Sequence, residues 1–152
     1  MRTRTRFGAT TFAAAFLMAA FTVLAGPAQA APVVKISKIY YNSPGSDTGS
    51  NASLNAEYVT LQNTTTTART VTGWTLRDKT NHVYKFPSTT IKAKSTVTLR
   101  TGKGTNSAST RYWQQTWYVW NNTGDTAYLR NTAGTLMHSC AYGSGAAVSK
   151  TC

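Results

Sequence analysis

The chain reads as an all-β sandwich of eight or nine short strands. Past residue 30, apolar residues recur at every second position, the period of a half-buried strand. The same stretch is dense in Thr, Val, Tyr and Trp, which suit a pleated surface, and it carries no helix signal. Turn-forming runs break it at short intervals, and many short strands in one small domain fit two packed sheets.

Residues 1–30 belong to export rather than to the fold. Arg2, Arg4 and Arg6 form a basic leader, and Phe12 to Leu24 is apolar. Gly26 and Pro27 break that stretch before Ala28 and Ala30, the small residues a signal peptidase reads, with cleavage expected after Ala30. The alternative, a retained anchor, needs roughly 20 apolar residues, more than are present. The expected product, residues 31–152, is one secreted domain, extracellular or wall-associated, acting as a monomer without membrane insertion.

Val33 to Tyr41 opens that domain, with a phase change between Ile36 and Ile39 that predicts a bulge. Glu57 to Asn63 sends Val59 and Leu61 to one face and Tyr58, Thr60 and Gln62 to the other. Trp74 and Leu76 share a face in the third strand. The polar turn Asp78-Lys79-Thr80-Asn81 leads to a fourth, His82 to Phe86. Thr96 to Arg100 is to bury Val97 and Leu99, Trp117 to Trp120 follows, and Thr126 to Arg130 is to bury Ala127 and Leu129. Asn131-Thr132-Ala133-Gly134 turns the chain into Thr135 to Tyr142. Long loops, 42–55 and 101–111, interrupt the hairpins. The architecture is immunoglobulin-like, although the Cys…Trp…Cys spacing of antibody domains is missing.

Three stretches carry a family resemblance. They are Glu57-Tyr58-Val59-Thr60-Leu61-Gln62-Asn63, Val71-Thr72-Gly73-Trp74-Thr75-Leu76-Arg77-Asp78 and Asn122-Thr123-Gly124-Asp125-Thr126-Ala127-Tyr128-Leu129. In that order they resemble the lamin-tail domain, found at the end of nuclear lamins and in exported bacterial proteins. The resemblance is to the exported bacterial type and spans essentially the whole domain past residue 30. It implies a non-catalytic interaction module. Ile91-Lys92-Ala93-Lys94 departs from the family pattern, which places glycine where Lys94 stands. If that turn needs φ > 0, lysine is strained there.

Cys140 and Cys152 are the two cysteines, and in an oxidising compartment such a pair forms a disulfide. It would staple the Gly143-Ser144-Gly145 tail onto the domain. Neither a C-x-x-C motif nor a zinc spacing is present.

Catalytic signals are weak. His82 and His138 lack a G-x-S-x-G nucleophile, and Thr101-Gly102-Lys103-Gly104-Thr105 lacks the phosphate-loop pattern. Asp47, Glu57, Asp78 and Asp125 are the four acids. The last three stand at family positions and at strand ends or turns, where carboxylates accept backbone N–H groups or pair with Arg77 or Arg100. No catalytic residue, cofactor or metal is expected.

Past residue 30 there are 13 basic residues against four acids, a net charge of +9. That excess favours an anionic partner such as a cell-wall polymer, nucleic acid or an acidic protein, although solubility alone also accounts for it. The densest aromatic run is Arg111-Tyr112-Trp113-Gln114-Gln115-Thr116-Trp117-Tyr118-Val119-Trp120. It exceeds what one strand face can bury, so Lys103, Arg111, Tyr112, Trp113 and Trp117 are the candidate binding residues. The partner is then a protein or an anionic polymer. Alternatively, the disulfide-held tail covers that edge. A structural matrix protein is the competing class, and an exported enzyme or inhibitor the third.

Overall fold

The computed structural model describes residues 31–152, so the export segment and its cleavage site at Ala28 and Ala30 lie outside the described residues. In chain order the elements are β1 (Val34–Tyr40), α1 (Asn51–Ala56), β2 (Tyr58–Asn63), β3 (Arg69–Thr70), β4 (Thr75–Arg77) and β5 (Val83–Lys85). There follow β6 (Thr90–Ile91), β7 (Thr96–Arg100), β8 (Thr110–Tyr112), β9 (Gly124–Arg130), β10 (Leu136–Gly143) and β11 (Ser149–Thr151). Strands order as β11-β1-β2-β7-β8 in one sheet and β10-β9-β4-β5 in the other, with β3 and β6 as a separate short ribbon. The expected all-β, immunoglobulin-like sandwich is what forms.

Alternation explains the core. Val34, Ile36, Ile39, Val59, Leu61, Val97 and Leu99 of the larger sheet face Leu76, Tyr84, Ala127 and Leu129 of the smaller one, all buried. The predicted bulge sits between Ile36 and Lys38, where the register with β2 shifts. Trp74 packs against this core while remaining partly exposed, just before β4. Gly73 has φ +77°, a left-handed turn that glycine adopts freely, and its N–H reaches the Phe86 carbonyl at 2.8 Å.

The last residue of the Glu57-to-Asn63 motif ties three segments together. Asn63 is buried; its amide donates to the carbonyls of Thr67, Ile91 and Lys92, and its oxygen accepts from Thr65. Lys94, next along from that anchor, has φ +56°. Its turn does demand the left-handed region.

Three expectations are corrected. The second half of the loop expected at 42–55 is a helix, α1, which runs on to Ala56 and is capped by the Ser50 side chain, which accepts the Ser53 N–H at 3.3 Å. Its one buried residue, Leu54, is too little for a 3.6-residue periodicity to show. Trp117 to Trp120 is not a strand, because the backbone N–H groups of Val119 and Trp120 go to the Glu57 carboxylate instead of a ladder. The edge of the larger sheet is β8, parallel to β7. The C-terminal tail does not cover that edge: β11 pairs antiparallel with β1 at the opposite side.

The Cys140–Cys152 disulfide forms as expected. Cys140 lies in β10 of the smaller sheet and Cys152 follows β11 of the larger, so the bridge joins the two sheets.

Candidate functional site

Three of the four acids are scaffold. Glu57 is fully buried; one oxygen accepts the Thr101 hydroxyl at 2.6 Å and the Val119 N–H at 3.0 Å, the other the Trp120 N–H at 3.2 Å. Burial outweighs those hydrogen bonds and pushes its pKa up to about 7. Asp78 accepts the His82 N–H at 2.7 Å and pairs with the His82 ring at 2.8 Å. Burial alone would raise its pKa, but the bonds from His82 and Thr80 prevail and lower it. Asp125 accepts the backbone N–H groups of Lys79, Asn121 and Thr126. None of the three meets Arg77 or Arg100: the first lies over the Tyr128 ring, 5.2 Å from its centroid, and the second donates to the Asn55 carbonyl.

The aromatic run divides. Arg111 and Trp113 point inward from the β8 edge and are 6 % and 7 % exposed. The Arg111 guanidinium donates to Thr89 Oγ1 and to the Ser88 carbonyl, both at 3.0 Å. Trp113 packs edge-on against Trp120, with ring centroids 6.1 Å apart. Both residues therefore hold the core and present no surface to a partner. Tyr112 falls on the outward face of β8, half-buried where the Gly104 backbone crosses its ring.

Trp117 is different: it is 62 % exposed, and its environment is built around it. A Cβ on Gly49 would come within 2.6 Å of the indole, so the ring is seated against a position that only glycine leaves free. Tyr118 meets it edge-on at 5.5 Å, and the Tyr118 hydroxyl is hydrogen-bonded to Ser53 of α1 at 2.5 Å. Together with the Glu57 bonds to the next two residues, these contacts hold the indole in place. Trp117 lines a cleft of about 220 Å³ together with Asp47, Asn121 and Asn122 among others. A second cleft, of about 150 Å³, is lined by Gly49, against which the indole sits, and by Asn51, Lys103 and Gln115. The Asn51 and Asn55 amides both donate to the Lys103 carbonyl, at 3.1 and 2.9 Å, which fixes where that lysine stands.

The second concentration of side chains lies on the outward face of the larger sheet. Register aligns Tyr40 with Tyr58, Tyr58 with Arg100, and Arg100 with Tyr112, one row across four strands. The Tyr40 and Tyr58 rings stack at 5.3 Å, with Lys38 over the first and Arg100 over the second, each 5.6 Å from the centroid. Lys35, Thr60, Gln62 and Thr98 complete a face with no acid on it. Sequence reasoning missed Tyr40, Tyr58 and Arg100 because each looks ordinary in its own strand. The signal was their shared outward phase, which only the register turns into a row.

Among the described residues no group of three or more His, Cys, Asp and Glu side chains is placed to hold a metal ion, and no helix is long and apolar enough to cross a membrane. A two-sheet immunoglobulin-like sandwich whose buried carboxylates hold loops, and whose exposed features are an aromatic platform and a basic sheet face, defines an interaction domain. The family model for the Lamin Tail Domain matches residues 27–144, and the chain belongs to that family. Strand β11 and Cys152 lie beyond the matched residues. A search of curated proteins found no match.

Proposed function

We propose that this chain is a secreted, non-catalytic lamin-tail module that binds an anionic extracellular polymer through the outward face of its larger sheet. One observation carries the reading: the acids are hidden and the bases are not. Glu57, Asp78 and Asp125 are buried, which leaves Asp47 as the exposed acid, whereas Arg111 is the one buried base among the 13 past residue 30. A surface so one-sided attracts polyanions over a Debye length of about 8 Å at physiological salt. The row Tyr40–Tyr58–Arg100–Tyr112, with Lys38 beside it, supplies both charge and stacking rings.

The test is retention on purified cell walls and on single-stranded nucleic acid as salt is raised. Retention should fall steeply with salt. Replacing Lys38 and Arg100 together by Ala should lower the slope of log affinity against log salt by about one to two. Salt-insensitive capture of a single protein would point instead to an aromatic hot spot. The inter-sheet disulfide favours a second reading, a structural wall protein. That reading expects no retention on any polymer, with high thermal stability only in the oxidised form.

A further inference from the structure

We propose that Trp117 is a stacking platform for one pyranose ring of an uncharged glycan, with the cleft it lines and the second cleft at Gly49 binding the sugar hydroxyls. This site is separate from the sheet face and does not depend on it.

Geometry supports the platform first. A solvent-exposed tryptophan usually samples several rotamers, and ordering it on binding costs free energy. Here the indole is already held by Gly49 and by Tyr118, and the segment around it by Glu57. A pre-organised ring with most of its surface open is suited to a flat, partly apolar partner such as the C–H face of a sugar.

Charge then selects the ligand. Asp47, the exposed acid of a domain carrying +9, lines the cleft beside Trp117. Asn122 donates to its carboxylate at 3.1 Å, which keeps the acceptor in position. Lys103 lines the second cleft and brings a positive charge to it. A phosphate or sulfate chain would meet a carboxylate here, whereas it meets none on the sheet face. Asp47, Asn121, Asn122, Asn51 and Gln115 offer the mixed donors and acceptors that hydroxyl groups need. A protein hot spot is disfavoured, because it would need further exposed apolar side chains around the indole. Leu54, Val119 and Trp120, which line the clefts, are buried, and Tyr118 is half-buried with its hydroxyl bonded to Ser53.

The experiment follows the four tryptophan indole N–H signals by NMR while soluble hexasaccharides of glucose, N-acetylglucosamine or mannose are added in separate arms. At about 1 M salt the Debye length is roughly 3 Å, so polyanion binding is suppressed and glycan binding should persist. At least one arm should shift the Trp117 signal to saturation and identify the sugar. Trp117→Ala should weaken binding at least about tenfold, and Asp47→Ala should weaken it as well. The unshifted signals of Trp74 and Trp113 check the fold of each variant, and Trp117→Phe, which keeps a ring, should retain part of the affinity. No shift in any arm, or affinity that survives Trp117→Ala, overturns the proposal. So does a Trp117 response only to single-stranded DNA at low salt. Trp117→Ala should leave salt-sensitive polymer retention unchanged, so failure here is distinguishable from failure of the sheet-face reading.

Discussion

Glu57 Oε2 accepts the backbone N–H of Trp120 at 3.2 Å, across 63 residues of sequence. With the Val119 N–H on the other oxygen, one carboxylate takes the place of a strand partner for the segment that carries Trp117. The Thr101 hydroxyl binds the same carboxylate and brings in the loop ahead of β8. The first residue of the Glu57-to-Asn63 motif and the candidate platform are therefore one mechanical unit.

That carboxylate makes stability depend on pH. Its folded pKa of about 7 lies above the 4.5 of an ordinary glutamate, so the folded state holds the proton more tightly than the unfolded state. The associated stabilisation is full below pH 4.5 and is lost as pH rises through 7. The span is about 3 kcal/mol. His138 works the other way: burial lowers its pKa, so stability is gained as pH rises towards 6.5. The difference between the parent and Glu57→Gln cancels His138. Urea unfolding from pH 4 to 8 should show the parent's stability minus the variant's rising by up to about 3 kcal/mol as pH falls; a constant difference would remove Glu57 as the titrating group.

How far the sequence disclosed this can be judged at particular residues. Alternation alone placed Val59, Leu61, Val97 and Leu99 in the core, and the phase slip at Ile36 located the bulge. Lys94 was marked by departure from a family glycine, and its φ of +56° bears that out. Trp117 to Trp120 was misread because Val119 and Trp120 are apolar like strand residues, while their hydrogen bonds go to a side chain from a distant strand. No local pattern encodes that. Arg111 was misread for a related reason: a buried guanidinium depends on acceptors at Thr89 and Ser88, on another segment of chain.

Opening the Cys140–Cys152 bridge by replacing both with Ser should destabilise the domain by about 3 kcal/mol, the chain-entropy value for a separation of 12 residues. The larger consequence is local. β11 would lose its tether to β10, leaving the β1 edge from Lys38 to Tyr40 free to exchange. Hydrogen exchange should show selective loss of protection in β1 and β11, and size-exclusion chromatography should detect association through that edge. Uniform loss of protection across both sheets would contradict this account.

Lys94→Gly should stabilise the fold by up to about 1 kcal/mol. Left-handed backbone costs a non-glycine residue roughly 1–2 kcal/mol, and the greater freedom of glycine in the unfolded chain returns part of that. The Lys94 Nζ bond to the Thr64 carbonyl at 2.6 Å is exposed and contributes little against it. Denaturant midpoints for parent and variant decide the point. A destabilised Gly variant would mean that the lysine contact outweighs the backbone strain.

Trp113→Ala and Trp117→Ala separate core from surface within one aromatic run. Trp113 is buried against Trp120 and Tyr84, so its removal leaves a cavity and should cost about 3–5 kcal/mol. Trp117 is mostly exposed and makes its contacts at Gly49 and Tyr118, so truncation should change stability by less than about 1 kcal/mol. The two substitutions should therefore exchange their effects between assays: large on unfolding and indirect on binding for the first, small on unfolding and large on glycan binding for the second. Equal losses of stability would show that Trp117 serves the scaffold, and the platform would then lose its physical basis.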